Sequence, residues 1–213
     1  MTGTAGRPVG NPFSTRHVRP GALPALDSRG RPRDVAALLA RLDAVGGSAA
    51  LVGTHGSGKT TLLLHLAAAL EAGGRRVERV RLRTVADWAP LAGAAWRCAR
   101  GGTVCIDSWE RLGRLPALLV AWAARRVGAR LLVTAHRPGP LPTLLECATS
   151  PALVTALVAR LPRGDAALVP GAADVDAVFR AAAGNVREAL FLLYDRHEVR
   201  RRGPAAPAAG VRS

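Results

Sequence analysis

Residues 53–60 read Gly-Thr-His-Gly-Ser-Gly-Lys-Thr, and Lys59 is the only lysine among the 30 Lys and Arg residues of the chain. The spacing matches G-x-x-x-x-G-K-[ST] at every fixed position. Gly53, Gly56 and Gly58 let a backbone turn tightly and approach an anion with no Cβ in the way. Thr54, His55 and Ser57 complete the turn, and Thr61 follows it. Exposed N–H groups at such a turn, together with the positive end of a following helix, bind phosphate oxygens. Thr60 offers a hydroxyl to Mg²⁺. Lys59 supplies a compact charge on a flexible stem, whereas arginine is a larger planar fork and substitutes poorly. A chain that otherwise uses arginine keeps lysine where the two are not interchangeable. These residues imply binding of a triphosphate, with ATP and Mg²⁺ as the expected ligands. The other reading is a glycine-rich turn that fits the pattern by chance.

A phosphate loop also needs a partner for the metal at the tip of a neighbouring strand. Thr-Val-Cys-Ile-Asp, residues 103–107, is an apolar run ending in a carboxylate, so Asp107 is the candidate; it could instead cap a helix. Hydrolysis further needs a carboxylate to orient water. Ser108 follows Asp107 directly, and the next acid is Glu110. Glu110 reaches the terminal phosphate if the chain turns after Asp107; otherwise it stands in solvent. A third apolar run, Leu-Leu-Val-Thr-Ala-His (131–136), ends in polar groups that can sense the terminal phosphate. Thr134 is the first candidate, with His136 and Arg137 as alternatives.

The elements that must hold these residues follow from apolar pattern and stop signals. Short apolar runs at 48–53, 76–83, 101–107 and 129–136 predict strands, with 144–150 as a further one. Helical patterns fall between them, opened by Asp34 and closed by Gly46-Gly47 or Gly73-Gly74. The segment 84–100 predicts a loop and one helix. This alternation predicts an α/β fold with a parallel sheet covered on both sides. Beyond residue 150 the pattern is wholly helical, with helices opened by Ser150-Pro151 and by Asn185. The expected organisation is a Pro/Gly/Arg-rich arm at 1–33, a core at 34–149, a helical lid at 150–202 and a disordered tail at 203–213.

Composition bounds the partners. The net charge of +15 fits an acidic partner, and it also fits an arginine-rich vocabulary with no partner at all. Arg79, Arg81 and Arg83 alternate along one expected strand, which suits either a nucleic-acid backbone or the protection of a sheet edge. Trp88, Trp96, Trp109 and Trp122 are expected as core or lid contacts rather than base-stacking platforms. Cys98, Cys105 and Cys147 lack metal-ligand spacing and read as buried, reduced thiols. No apolar run approaches the roughly 18 residues that span a bilayer, so the expectation is a cytoplasmic protein with no membrane role.

The segments Gly53–Thr61, Val104–Glu110 and Leu131–His136 resemble the Walker A, Walker B and sensor 1 segments of P-loop ATPases of the additional-strand class. Ala-Ala-Ala-Gly-Asn-Val-Arg, residues 181–187, resembles the second-sensor helix of AAA+ ATPases, above all the origin-recognition and clamp-loader types. The resemblance covers about residues 34–200. It implies a P-loop NTPase core with sheet order 5-1-4-3-2, and a lid whose Arg187 contacts the γ-phosphate; the other reading of Arg187 is a solvated side chain. Two features depart from AAA+ proteins. Ser108 replaces the usual second acid, and the D-x-x-E pattern resembles signal-transduction switch ATPases. Residues 137–143 also leave no room for the helix that carries an arginine finger, so a monomer or transient oligomer is expected. The expected function is Mg-dependent ATP hydrolysis that switches a protein partner, with nucleic acid as a possible one. The alternatives are a non-hydrolysing adaptor and a small-molecule kinase.

Overall fold

The computed structural model describes residues 11–84, 87–162 and 168–202. Five strands, β1 (Ala49–Gly53), β2 (Val77–Arg81), β3 (Thr103–Asp107), β4 (Arg130–Ala135) and β5 (Thr143–Cys147), form one sheet in the order β2-β3-β4-β1-β5. Every pairing is parallel. This is the expected order read from the opposite edge, and it is consistent with a P-loop NTPase core.

Side chains along the three central strands alternate strictly between two cores. Ala49 and Leu51, Cys105, and Leu132 point to one side, where they meet Leu62, Leu63 and Leu66. Ala50 and Val52, Val104 and Ile106, and Leu131 and Val133 point to the other, where they meet Leu91, Ala94, Ala117 and Ala124. Burial on both faces is why these strands read as unbroken apolar runs. The first side is covered by α2 (Val35–Ala44) and α3 (Lys59–Ala72), the second by α4 (Trp88–Arg97) and α5 (Arg114–Arg126). Asp34 caps α2 by accepting from the Ala37 N–H at 2.9 Å.

The sheet's carboxyl edge is roofed by α6 (Pro151–Val158), α7 (Ala172–Ala181) and α8 (Val186–Arg202). Ser150 caps α6, accepting from the Leu153 N–H, and Asn185 caps α8, accepting from the Glu188 N–H. These helices share a third core containing Val154, Leu157, Val178, Ala189 and Leu193.

The N-terminal segment joins that third core. A single turn, α1 (Thr15–Val18), follows Phe13, which is 2% exposed, and Leu26 enters the same cluster. Asn11 donates to the Tyr194 carbonyl at 3.1 Å and to the Glu198 carboxylate at 2.9 Å, tying the segment to α8. Its first ten residues, and the tail from Gly203 expected to be disordered, lie outside the described residues.

The tryptophans correct one expectation. Trp109 is buried, but Trp88, Trp96 and Trp122 are exposed. The inner faces of α4 and α5 are filled by leucine and alanine, so their indoles fall on the outer faces. No helix among the described residues is long and apolar enough to cross a membrane.

Truncating the one aromatic anchor of the N-terminal segment should leave a cavity between it and the helical roof. Phe13→Ala is expected to lower the unfolding free energy by about 3 kcal/mol, read from urea denaturation of the full chain.

Candidate functional site

The loop between β1 and α3 turns through left-handed glycines at Gly56 (φ +70°) and Gly58 (φ +84°). Gly58 sits at the N-cap of α3 and offers no side chain to its first-turn N–H groups, which leaves them free for an outside acceptor. Gly56 has a further reason to lack a side chain: a Cβ there would fall 1.8 Å from the Asn185 Oδ1 and 3.1 Å from the Val186 N. The loop thus lies directly against the N-terminus of α8, and two helix N-termini converge on one place. The Ser57 hydroxyl is buried there without a hydrogen-bond partner in the protein.

Lys59 begins α3 and is 8% exposed. Its Nζ donates to the Gly53 and Thr54 carbonyls, each at 2.6 Å, so the ammonium draws its own loop around it. Burial pushes its pKa below the usual lysine value, while Cys147, Glu110 and Asp107 oppose that shift.

At the tip of β3, the Asp107 Oδ1 accepts from the Thr60 hydroxyl at 3.0 Å and from the Thr134 hydroxyl at 2.8 Å. The Arg81 Nε lies 3.5 Å from its other oxygen. Thr134 is buried, its hydroxyl proton is committed to Asp107, and its oxygen also accepts from the Ser108 N–H at 2.9 Å.

Ser108 adopts left-handed backbone, φ 67° and ψ 46°. That conformation is strained for a residue with a side chain, and such strain gathers at functional sites. Here it turns the chain immediately after Asp107 into a short 3-10 turn, Trp109–Leu112. Glu110 consequently faces the same cavity as Lys59 and Asp107. Its Oε1 lies 2.8 Å from the His136 Nε2, and His136 packs edge-on against His55 with ring centroids 3.8 Å apart. Burial pushes the His136 pKa below its ordinary value of 6.5; Glu110 raises it, and Lys59 and His55 lower it further. A neutral ring then donates its Nε2–H to Glu110.

The cavity between the sheet tips and the helical roof gathers His55, Gly56, Ser57, Gly58, Lys59, Thr60, Thr61, Asp107, Glu110, Thr134, His136 and Arg187. Gly53 and Thr54 contribute the carbonyls that hold Lys59. Arg137, the third candidate at the end of β4, is not part of the lining. Arg187 lies in the first turn of α8 and reaches the cavity from the roof.

Several lining residues were not foreseen as site residues. Val18, Leu23 and Leu26 of the N-terminal segment and Leu153, Leu157 and Leu190 of the roof form an apolar end beside the polar one. Arg81 and Arg111 complete the polar end. The alternating arginines of β2 signalled a charged edge but not that Arg81 would meet Asp107.

The donor set fits Mg²⁺: the Thr60 hydroxyl and a single carboxylate lie side by side, and Mg²⁺ is commonly held by one or two carboxylates plus substrate phosphates. Among the described residues no group of three or more His, Cys, Asp or Glu is arranged to hold a metal ion as an all-protein cage.

No family model matches the chain, and no curated protein matches it. Among solved structures it is similar to that of C. elegans PCH-2, at 13% identity and a TM-score of 0.45, covering 79% of this chain and 67% of that one. That likeness is too slight to bear on function.

Two outcomes follow from this geometry. Gly56→Ala forces a side chain into both a left-handed backbone and the Asn185 amide; it should cost about 1–3 kcal/mol of stability, read as a lower denaturation midpoint, with faster proteolysis of the roof. For His136, burial favours the neutral ring. Its contribution to stability is therefore complete above pH 6.5 and is lost as the pH falls through the depressed folded value. An NMR titration of the ring should give a midpoint below 6.5 in the wild type and a still lower one in Glu110→Gln.

Proposed function

We propose that this protein binds a magnesium nucleoside triphosphate between the sheet tips and the helical roof and hydrolyses its terminal phosphate. One observation carries the reading: a buried lone lysine, an unfilled helix N-terminus, a threonine-carboxylate pair and a second carboxylate all face one cavity. The polar end suits phosphates and the apolar end suits a base. ATP is the expected nucleotide, since no NKxD-type guanine-reading segment occurs in the sequence.

Lys59 and the loop amides bind the phosphates, with Ser57 donating its unpartnered hydroxyl. Thr60 and Asp107 would hold Mg²⁺, which supplies charge neutralisation to the phosphate oxygens when bound. Thr134 fixes the carboxylate rotamer of Asp107. Glu110 takes a proton from the attacking water, with His136 setting its direction through the 2.8 Å contact. Arg187 adds a positive charge from the roof, so closure of the roof and the state of the terminal phosphate are linked. A switch of this kind acts on a partner, and a protein partner suits it best.

Lys59→Ala should weaken Mg·ATP binding by about 10- to 100-fold, the worth of a hydrogen bond to a buried charge. Glu110→Gln should keep the affinity and lose about 10²- to 10⁴-fold in rate, the usual contribution of a general base. Phosphate release is measured with no acceptor present. Tight binding with no release by either wild type or Glu110→Gln would replace this account with a non-hydrolysing adaptor; ADP formed only on addition of an acceptor, with the phosphoryl group on that acceptor and no free phosphate, would replace it with a kinase.

A further inference from the structure

The outer face of α5 is unlike the rest of the core's surface. Leu115, Leu118, Leu119 and Trp122 fall at i, i+3, i+4 and i+7, and they are 74%, 51%, 64% and 64% exposed. The inner face of the same helix, through Ala117 and Ala124, already packs on the sheet. The helix is thus apolar on both sides, and core packing explains only one of them. Trp96 of α4, on the same side of the sheet, is 76% exposed. A solvated helix face is normally polar, and an apolar patch of this kind marks an interaction site.

Charge selects the occupant. The chain has no acidic residue from Trp88 to Ile106, nor from Arg111 to Leu145. Some arginines of the molecule are matched by acids, Arg79 by Glu71, Arg75 and Arg130 by Asp43, Arg97 by Glu78, and Arg200 by Asp174. Arg114, Arg125 and Arg126 have no ion pair among the described residues. They bracket the apolar stripe at its two ends, about 16 Å apart along the helix axis. A shallow depression is lined by Trp122, Arg125 and Arg126, with the Arg126 guanidinium 5.7 Å from the centre of the indole. A second copy of this face would set arginine against arginine with no acid to relieve it. An anionic bilayer is the competing occupant, and vesicle binding distinguishes it.

We propose that α5, with Trp96 beside it, is the docking surface for an acidic amphipathic helix of a partner protein. The partner lays its own apolar seam on Leu115, Leu118, Leu119 and Trp122 and places carboxylates at Arg114 and at Arg125–Arg126. The surface lies on the flank of the sheet, and its occupancy does not depend on the nucleotide reading.

A random-peptide display library selected on the full chain and counter-selected on Leu119→Asp tests this. Enriched peptides should carry apolar residues at helical spacing with acids near both ends. A synthetic representative should bind the wild type and lose at least tenfold in affinity for Leu119→Asp and for the double variant Arg125→Glu, Arg126→Glu. Leu118→Ser serves as a milder second variant, and all should keep wild-type circular dichroism and melting, because the altered side chains are solvent-facing. Four results would overturn the proposal: no Leu119-dependent peptide, binders lacking acids, affinity indifferent to the arginine reversals, or loss with Leu119→Asp of an otherwise stable dimer. Binding of the wild type to phosphatidylglycerol vesicles, abolished by Leu119→Asp, would instead assign the face to a membrane.

Discussion

A single ammonium group with almost no access to water organises the centre of this molecule. Lys59 has its charge at the mouth of a parallel sheet, and two carbonyls of its own loop approach it to 2.6 Å. Those carbonyls are neutral dipoles; they reduce the cost of burial without cancelling the charge. The nearest carboxylates, Asp107 and Glu110, are held by other partners. The site therefore keeps an unspent positive potential, reinforced by the N-terminus of α3, and its natural complement is a multiply charged anion.

The rest of the architecture is arranged around that potential. Gly56 brings the backbone of the β1–α3 loop against Asn185, so the cap of α8 and the loop share one boundary. The roof itself is held by an apolar cluster that includes Phe13 and Leu26 from the far end of the chain. The N-terminal segment thereby serves two purposes: it closes the core of the roof and walls the apolar end of the cavity. Ser108, strained after β3, makes the matching adjustment on the other side by aiming Glu110 inward.

Much of this was legible in the sequence, for physical reasons that can be named. Central strands buried on both faces must be continuously apolar, so Leu131–Val133 and Val104–Ile106 announced themselves. Asp34, Ser150 and Asn185 are caps whose side-chain chemistry works locally, and each was readable within four residues. The glycine pattern around Lys59 reflects backbone geometry that few other residue types tolerate. What escaped was chiefly non-local. Phe13 is one anchor in a segment without period, so no pattern reported its burial. The contact of His136 with Glu110 and His55 joins three chain segments, and the pairing of Arg81 with Asp107 depends on β2 lying beside β3. The exposure of Trp96 and Trp122 ran against the habit of large aromatics and became visible only once alanines were seen to fill the inner helix faces.

The central claim is that phosphate charge, met by Lys59 and the loop amides, drives binding. It is tested most directly by calorimetric titration of the wild-type chain with adenosine, AMP, ADP and ATP, each with and without Mg²⁺. The account predicts no measurable affinity for adenosine, a steep gain with each added phosphate from AMP to ATP, and a requirement for Mg²⁺ that is strongest for ATP. Equal affinity across the series, or ATP binding indifferent to Mg²⁺, would contradict it.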